Sequence, residues 1–141
     1  MNILLIGANG FIGAQLSTYL KGKGHRVTGC VSKKNKNHDD IVINKADLDF
    51  SETFKLSNFD VCINAAGSSS ISFSYENTEE DYLLNVTLVD QILKAIIAYS
   101  PQTKFINFSS MAIWVDNHNL LADPSPISPY GKHKYNARDR K

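Results

Sequence analysis

Short runs of consecutive apolar residues alternate with longer stretches in which apolar positions recur every three to four residues, and this pattern predicts buried strands separated by helices. Residues 3–6 (ILLI) form the first run, residues 7–13 (GANGFIG) a glycine-rich turn, and Leu16, Tyr19 and Leu20 one face of a helix. Gly24 ends that helix, residues 26–31 (RVTGCV) predict a second strand, and residues 33–40 read as a polar loop. A short third strand at 41–43 leads to Ala46 and Asp47, and residues 51–56 read as one or two helical turns. Residues 60–65 (DVCINA) predict a fourth strand, ending at Gly67 and the serine run at 68–70. Thr78, Glu79, Glu80 and Asp81 read as a helix start whose acids complement the dipole. Leu83, Leu84, Val86, Leu88, Val89, Ile92, Leu93, Ile96 and Ile97 continue it as a long, mostly buried helix that stops before Pro101. Residues 104–108 (KFINF) predict a fifth strand, followed by Ser109 and Ser110. Ser128 is placed to cap a last helix whose first residue is Pro129, where a missing N–H costs nothing. Tyr130 and Lys134 then share one face of that helix.

Alternating strands and helices specify an α/β fold, a doubly wound parallel sheet of Rossmann-like order 3-2-1-4-5 covered on both faces. With 141 residues, 43% of them hydrophobic, the chain reads as a single domain over residues 1–141 that buries its own core. A net charge of +1 provides no basic field for nucleic acid or for an anionic membrane. Lys33, Lys34 and Lys36 read as a solvated loop. The N-terminus lacks the basic flank and apolar core of a signal peptide, and no run approaches the roughly 20 apolar residues of a membrane span. A cytoplasmic protein with no membrane partner is expected. Cys30 and Cys62 lie in apolar runs and read as buried free thiols. His25, His38, His118 and His133 have no metal-like spacing with them, and solvated or loop roles are expected for all four.

Glycines between a buried strand and a helix suit one chemistry. Gly7 permits a tight turn, Gly10 lets backbone approach a pyrophosphate, and Gly13 lets helix and strand pack closely. The helix tip then presents free N–H groups and a positive dipole end to an anion. The ends of the first, fourth and fifth strands open onto one edge of such a sheet, and the start of the Tyr130 helix is expected to reach it. A phenol is a poor base at neutral pH, but an ammonium one turn away favours its phenolate, and Lys134 is so placed. A serine at the end of the fifth strand supplies a hydroxyl for the oxygen whose proton the phenol exchanges. After the second strand stand Val31, Ser32, Lys33 and Lys34, with no carboxylate for a ribose 2′-hydroxyl. NADP is therefore expected over NAD, with Ser32 and Lys33 as contacts.

The arrangement resembles the extended short-chain dehydrogenase/reductase family, the NAD(P)-dependent epimerases, dehydratases and reductases that often act on nucleotide sugars. GANGFIG at 7–13, NAAG at 64–67, NVTLVDQILKA at 85–95, FSSMAIW at 108–114 and SPYGKHK at 128–134 carry the resemblance. It implies that Tyr130 and Lys134 are the catalytic pair and Ser110, with Ser109 as the fallback, the third member. Trp114 holds the place of an aromatic that is usually tyrosine. Asp47 matches an adenine-contacting aspartate, and Asn85 an asparagine that braces the site. Asn9, Phe11, Ile12, Leu48, Ala65, Ala66 and Gly67 complete the implied cofactor contacts. Members normally continue into further strands and a substrate-binding domain, so a chain truncated before them is expected. A nucleotide sugar is the implied substrate, and a homodimer through the Tyr130 helix the implied assembly. The rival expectation is an NADP-binding module without turnover, regulatory or redox-sensing.

Overall fold

The structure, a computed structural model, describes residues 1–33, 40–44, 47–114 and 124–138. They group into two compact units, Met1–Ala66 with Gln91–Asn107, and Gly67–Asp90 with Phe108–Lys141.

The first unit holds the sheet. Strand β1 (Asn2–Ile6) pairs in parallel with β2 (Arg26–Val31) on one side and β4 (Val61–Asn64) on the other. Strand β3 (Ile41–Val42) extends β2, and β5 (Lys104–Asn107) extends β4. The order β3-β2-β1-β4-β5 is the Rossmann-like arrangement that the alternation of elements predicts. Ile6 sits opposite both Cys30 and Asn64, and Asn64 opposite Asn107, so the carboxyl ends of the four strands are in register.

Apolar runs without alternation form the central strands because both faces are covered. On one face, Ile3, Leu5, Val61 and Ile63 cluster, with Ala8, Leu16 and Leu20 packed on them. Helix α1 (Phe11–Gly22) supplies those leucines. Tyr19, expected beside them, is instead 61% exposed, with the Lys23 ammonium 5.5 Å from its ring. The other strand face carries Leu4, Ile6 and Cys62, also buried. Helix α2 (Ser51–Leu56) buries Phe54, whose ring meets Phe59 edge-on with centroids 6.0 Å apart.

The second unit begins with a helix that the pattern did not predict. Helix α3 (Ile71–Glu76) starts at Ser70, whose Oγ accepts the Phe73 N–H at 3.2 Å. Helix α4 (Thr78–Tyr82) follows, then a π turn (Leu83–Thr87), then α5 (Leu88–Tyr99), whose residues are shared between the two units. This run of 22 residues, mean hydropathy 1.3, is long and apolar enough to cross a membrane by length and composition, which corrects the sequence expectation. Val86, Leu88, Val89, Ile92 and Ile96 are nevertheless buried inside the protein, as in a core helix, while Ile97 is exposed.

A 3-10 turn (Met111–Trp114) follows Ser110, and α6 (Pro129–Arg138) starts where its cap predicts. Ser128 Oγ accepts the Gly131 N–H at 3.0 Å. Ser74, fully buried on α3, accepts the Tyr130 N–H at 3.0 Å and so anchors the first turn of α6. A Cβ at Gly131 would stand 2.5 Å from the Ala112 carbonyl, so only glycine lets α6 lie against the turn after Ser110.

Replacing Phe54 by alanine removes a ring that is 1% exposed together with its edge contact. Unfolding in urea is expected to show a loss of about 3–5 kcal/mol with an unchanged slope against denaturant.

Candidate functional site

In the first unit the glycine turn is held by backbone alone. The Gly7 N–H donates to the Cys30 carbonyl at 2.8 Å, the Gly10 N–H to the Gly7 carbonyl at 2.9 Å, and the Ala14 N–H to the Gly10 carbonyl at 2.9 Å. Gly7 adopts φ +79°, and a Cβ there would lie 2.7 Å from the Ala66 nitrogen. Gly13 is buried, and a Cβ on it would run into the Gly7 carbonyl oxygen. These contacts give Gly7 and Gly13 the roles their spacing predicts. The first bond within α1 is that of Ala14, so the N–H groups of Phe11, Ile12 and Gly13 have no acceptor inside the helix. Asn9 and Gly10 are exposed, and Phe11 is 90% exposed at the same tip. A cradle of this shape fits a diphosphate: donors at the tip, a positive dipole end, and no side chain where one would fill it.

Beside the turn, the Ala66 N–H donates to Asn64 Oδ1 at 3.1 Å, and Asn64 Nδ2 to Asn107 Oδ1 at 2.9 Å. The two asparagines thus brace the carboxyl ends of β4 and β5, with Ala65 and Ala66 half-buried next to Gly7. Ser32 and Lys33 are exposed just after β2, whereas Lys34, Lys36 and His38 lie outside the described residues. The view that no carboxylate serves the end of β2 needs correction. Asp40 places its carboxylate where a Cβ of Gly29 would be, beside Ala8 of the turn. Sequence distance hid this contact, because Asp40 lies well beyond the end of β2 in the chain. Asp47 is exposed; its Oδ1 accepts the Asp49 N–H at 3.5 Å. Leu48 has φ 49° and a buried side chain, so its left-handed backbone is what it can offer a ligand. Burial pushes the Cys30 thiol up to about 12, helped by the Asp40 charge, and burial raises the Cys62 thiol as well. Both stay protonated and unreactive at neutral pH.

In the second unit, Tyr130, Gly131, His133, Lys134 and Ala137 make up the buried face of α6. Lys134 Nζ lies 5.9 Å from the Tyr130 ring centroid and donates to the Phe108 carbonyl at 3.4 Å. Burial holds the Lys134 ammonium below the usual lysine range, and the Asp81 charge offsets part of that. Ser110 Oγ accepts the Ala112 N–H at 3.2 Å, which leaves its own O–H to point at another acceptor, while Ser109 is exposed. Gly67, at φ +136°, would bring a Cβ to 2.7 Å from Asn85 Oδ1 and 3.2 Å from Lys134 Nζ. Gly67, Asn85 and Lys134 thus border one small space, in which Asn85 Oδ1 is buried without a partner among the described residues. Trp114 stacks under the Arg138 guanidinium at 5.4 Å.

Two residues depart from their expected roles. Asp81, read as a helix-start acid, is fully buried, and His133, read as solvated, is 8% exposed with Nδ1 2.6 Å from Asp81 Oδ2. A helix-start acid and a polar residue between Tyr130 and Lys134 carry no apolar signal, so the pattern could not place either inside. His118 lies outside the described residues.

Gly13→Val forces side-chain atoms into the Gly7 carbonyl, and a loss of about 1–3 kcal/mol is expected in a thermal melt. Lys134→Met removes a buried ammonium. It is expected to melt above the wild type at neutral pH, because a lysine lowered in the folded state costs stability below its folded pKa. That gap closes as pH rises through the folded value of Lys134, and a gap independent of pH would contradict the assignment.

A sequence profile of the NAD dependent epimerase/dehydratase family matches residues 3–139. No curated protein matches the chain. Among solved structures it is similar to UDP-glucose 4-epimerase from Thermotoga maritima with UDP-glucose: TM-score 0.82, 28% identity, 97% of this chain and 48% of that one. UDP-glucose 4-epimerase from Brucella ovis in complex with NAD gives TM-score 0.82 and 24% identity, over 97% and 45% of the two chains. A hypothetical dTDP-4-dehydrorhamnose reductase from Sulfolobus tokodaii gives 0.84 and 22%, over 98% and 50%. The last two likenesses bear on the fold. The chain spans about half the length of these solved chains. With the glycine turn, the Asn85 turn and the Tyr130–Lys134 helix formed from the matched residues, the chain belongs to the NAD dependent epimerase/dehydratase family.

Proposed function

We propose that this chain is the cofactor-binding and catalytic part of an NAD(P)-dependent epimerase, dehydratase or reductase acting on a nucleotide sugar. The observation that carries the reading is the side-chain-free contact of Gly13 with the Gly7 carbonyl, which sets three N–H groups at the tip of α1. Family membership and the similar UDP-glucose 4-epimerase from Thermotoga maritima support the substrate class.

When bound, the dinucleotide supplies or accepts a hydride. Phe11, Ile12 and Gly13 N–H groups hold its diphosphate, with Asn9, Gly10, Ala65, Ala66 and Gly67 lining the approach. Asp47 and the Leu48 backbone serve the adenine. Tyr130 exchanges the proton of the sugar hydroxyl as its carbon is oxidised or reduced, Lys134 binds ribose hydroxyls, and Ser110 donates its O–H to the same sugar oxygen. The phosphate form, NADP, is preferred through Ser32 and Lys33, both exposed beside β2, while Asp40 limits the preference by like charge. Self-association uses the exposed residues of α6, Lys132, Asn136 and Arg138.

A second reading is a dinucleotide-binding module without turnover, which the glycine turn would serve by itself. Incubation with dinucleotide and UDP-glucose, with the sugar nucleotides resolved by chromatography, separates the two: conversion of the sugar supports turnover, and dinucleotide binding without conversion supports the module.

Titration followed by nicotinamide fluorescence is expected to show NADPH bound more tightly than NADH. Lys33→Glu should weaken NADPH roughly tenfold, the loss of one charge-assisted contact of about 1.4 kcal/mol, and Asp40→Asn should widen the preference. NADH binding as tight as NADPH would remove the NADP preference, and binding of neither would remove the reading as a whole.

A further inference from the structure

Asp81 is a buried carboxylate with both oxygens engaged. Its Oδ2 faces His133 Nδ1 at 2.6 Å, and its Oδ1 accepts Asn85 Nδ2 at 3.0 Å. The three side chains come from α4, the π turn and α6, and all three are buried, Asp81 completely. The Tyr82 ring meets the imidazole edge-on, centroids 5.2 Å apart, and closes its outer side.

A carboxylate accepts hydrogen bonds and does not donate them, which settles both neighbours. His133 presents an N–H from Nδ1, and Asn85 must turn its NH2 toward Asp81. Its carbonyl oxygen then points the other way, into the space bordered by Gly67 and Lys134 Nζ, where it has no partner among the described residues. The opposite amide orientation would turn the NH2 donor edge, with its partial positive charge, toward the ammonium.

We propose that Asp81 and His133 are a positioning pair: together they lock the Asn85 amide with Oδ1 toward the Lys134 side of Gly67. The physical chain has two links. His133 ties the Asp81 carboxylate to α6, the helix that carries Lys134, so the acid cannot swing away. Asp81 then acts on Lys134 directly by charge, in the sense opposite to the burial that lowers it, and indirectly through Asn85. Gly67 keeps the intervening space free of a side chain. Any catalytic consequence rests on the role proposed for Lys134, but the pair itself is testable without turnover.

The test is a pH titration of the Lys134 side chain in the 141-residue chain by lysine-selective NMR, its signal identified by absence in Lys134→Gln. In Asp81→Asn the midpoint is expected to move to lower pH than in the wild type. His133→Phe should move it the same way, and His133→Gln, which retains an N–H donor, should restore it. An unmoved midpoint in a folded Asp81→Asn protein, or equal behaviour of the Phe and Gln variants, would overturn the pair. If Asp81→Asn does not fold, the wild type decides. The Asn85 amide protons are expected to exchange at least roughly tenfold more slowly than those of the exposed Asn9 and Asn58, and equal rates would overturn the lock. Dinucleotide titration of the same samples stands apart: lost binding with the Lys134 shift intact counts against the proposed function and leaves the pair standing.

Discussion

A helix can begin directly against the end of a buried strand only if the residue at the contact has no side chain. Here that residue is Gly13, set against the Gly7 carbonyl. Because the contact is backbone on backbone, α1 lies low enough for Leu16 and Leu20 to reach the cluster of Ile3, Leu5, Val61 and Ile63. The same closeness leaves the N–H groups of the first helical turn pointing off the end of β1. Core packing and the anion-binding geometry of the first unit therefore have one cause.

The second unit is organised by a different problem, the burial of polar groups. Tyr130, His133 and Lys134 occupy the inward face of α6 and would be costly there without partners. Ser74 takes the backbone N–H of Tyr130, Asp81 takes His133, and the Phe108 carbonyl takes the Lys134 ammonium. Asn85 joins through the π turn, and its Oδ1, like Trp114 Nε1, is buried without a partner among the described residues.

Strand order, the main helices, the Ser128 cap and the glycine turn were legible because each has a local chemical signature: an uninterrupted apolar run, a capping hydroxyl, a spacing of glycines. Helix α3 escaped because its serine-rich start resembles a loop and its one buried residue, Ser74, is polar. Asp40 escaped because its contact with Gly29 joins residues distant in sequence, which periodicity cannot trace. The long helix was visible as a helix, but its π turn was not, since one additional residue per turn barely disturbs an apolar pattern.

Chain chemistry alone specified the glycine turn, the Ser128 cap and the apolar runs of the strands, and named which residue types could perform proton transfer or grip a phosphate, because those depend on neighbours within a turn or a strand. It could not dictate the surroundings of Asp81, His133, Asn85 and Lys134. Whether a carboxylate is a solvated helix-start charge or the centre of a buried network depends on what packs over it from 52 residues away, as His133 does here. Burial and partner choice arise from long-range contacts, and these set the charge and orientation of the groups that the local pattern could only name.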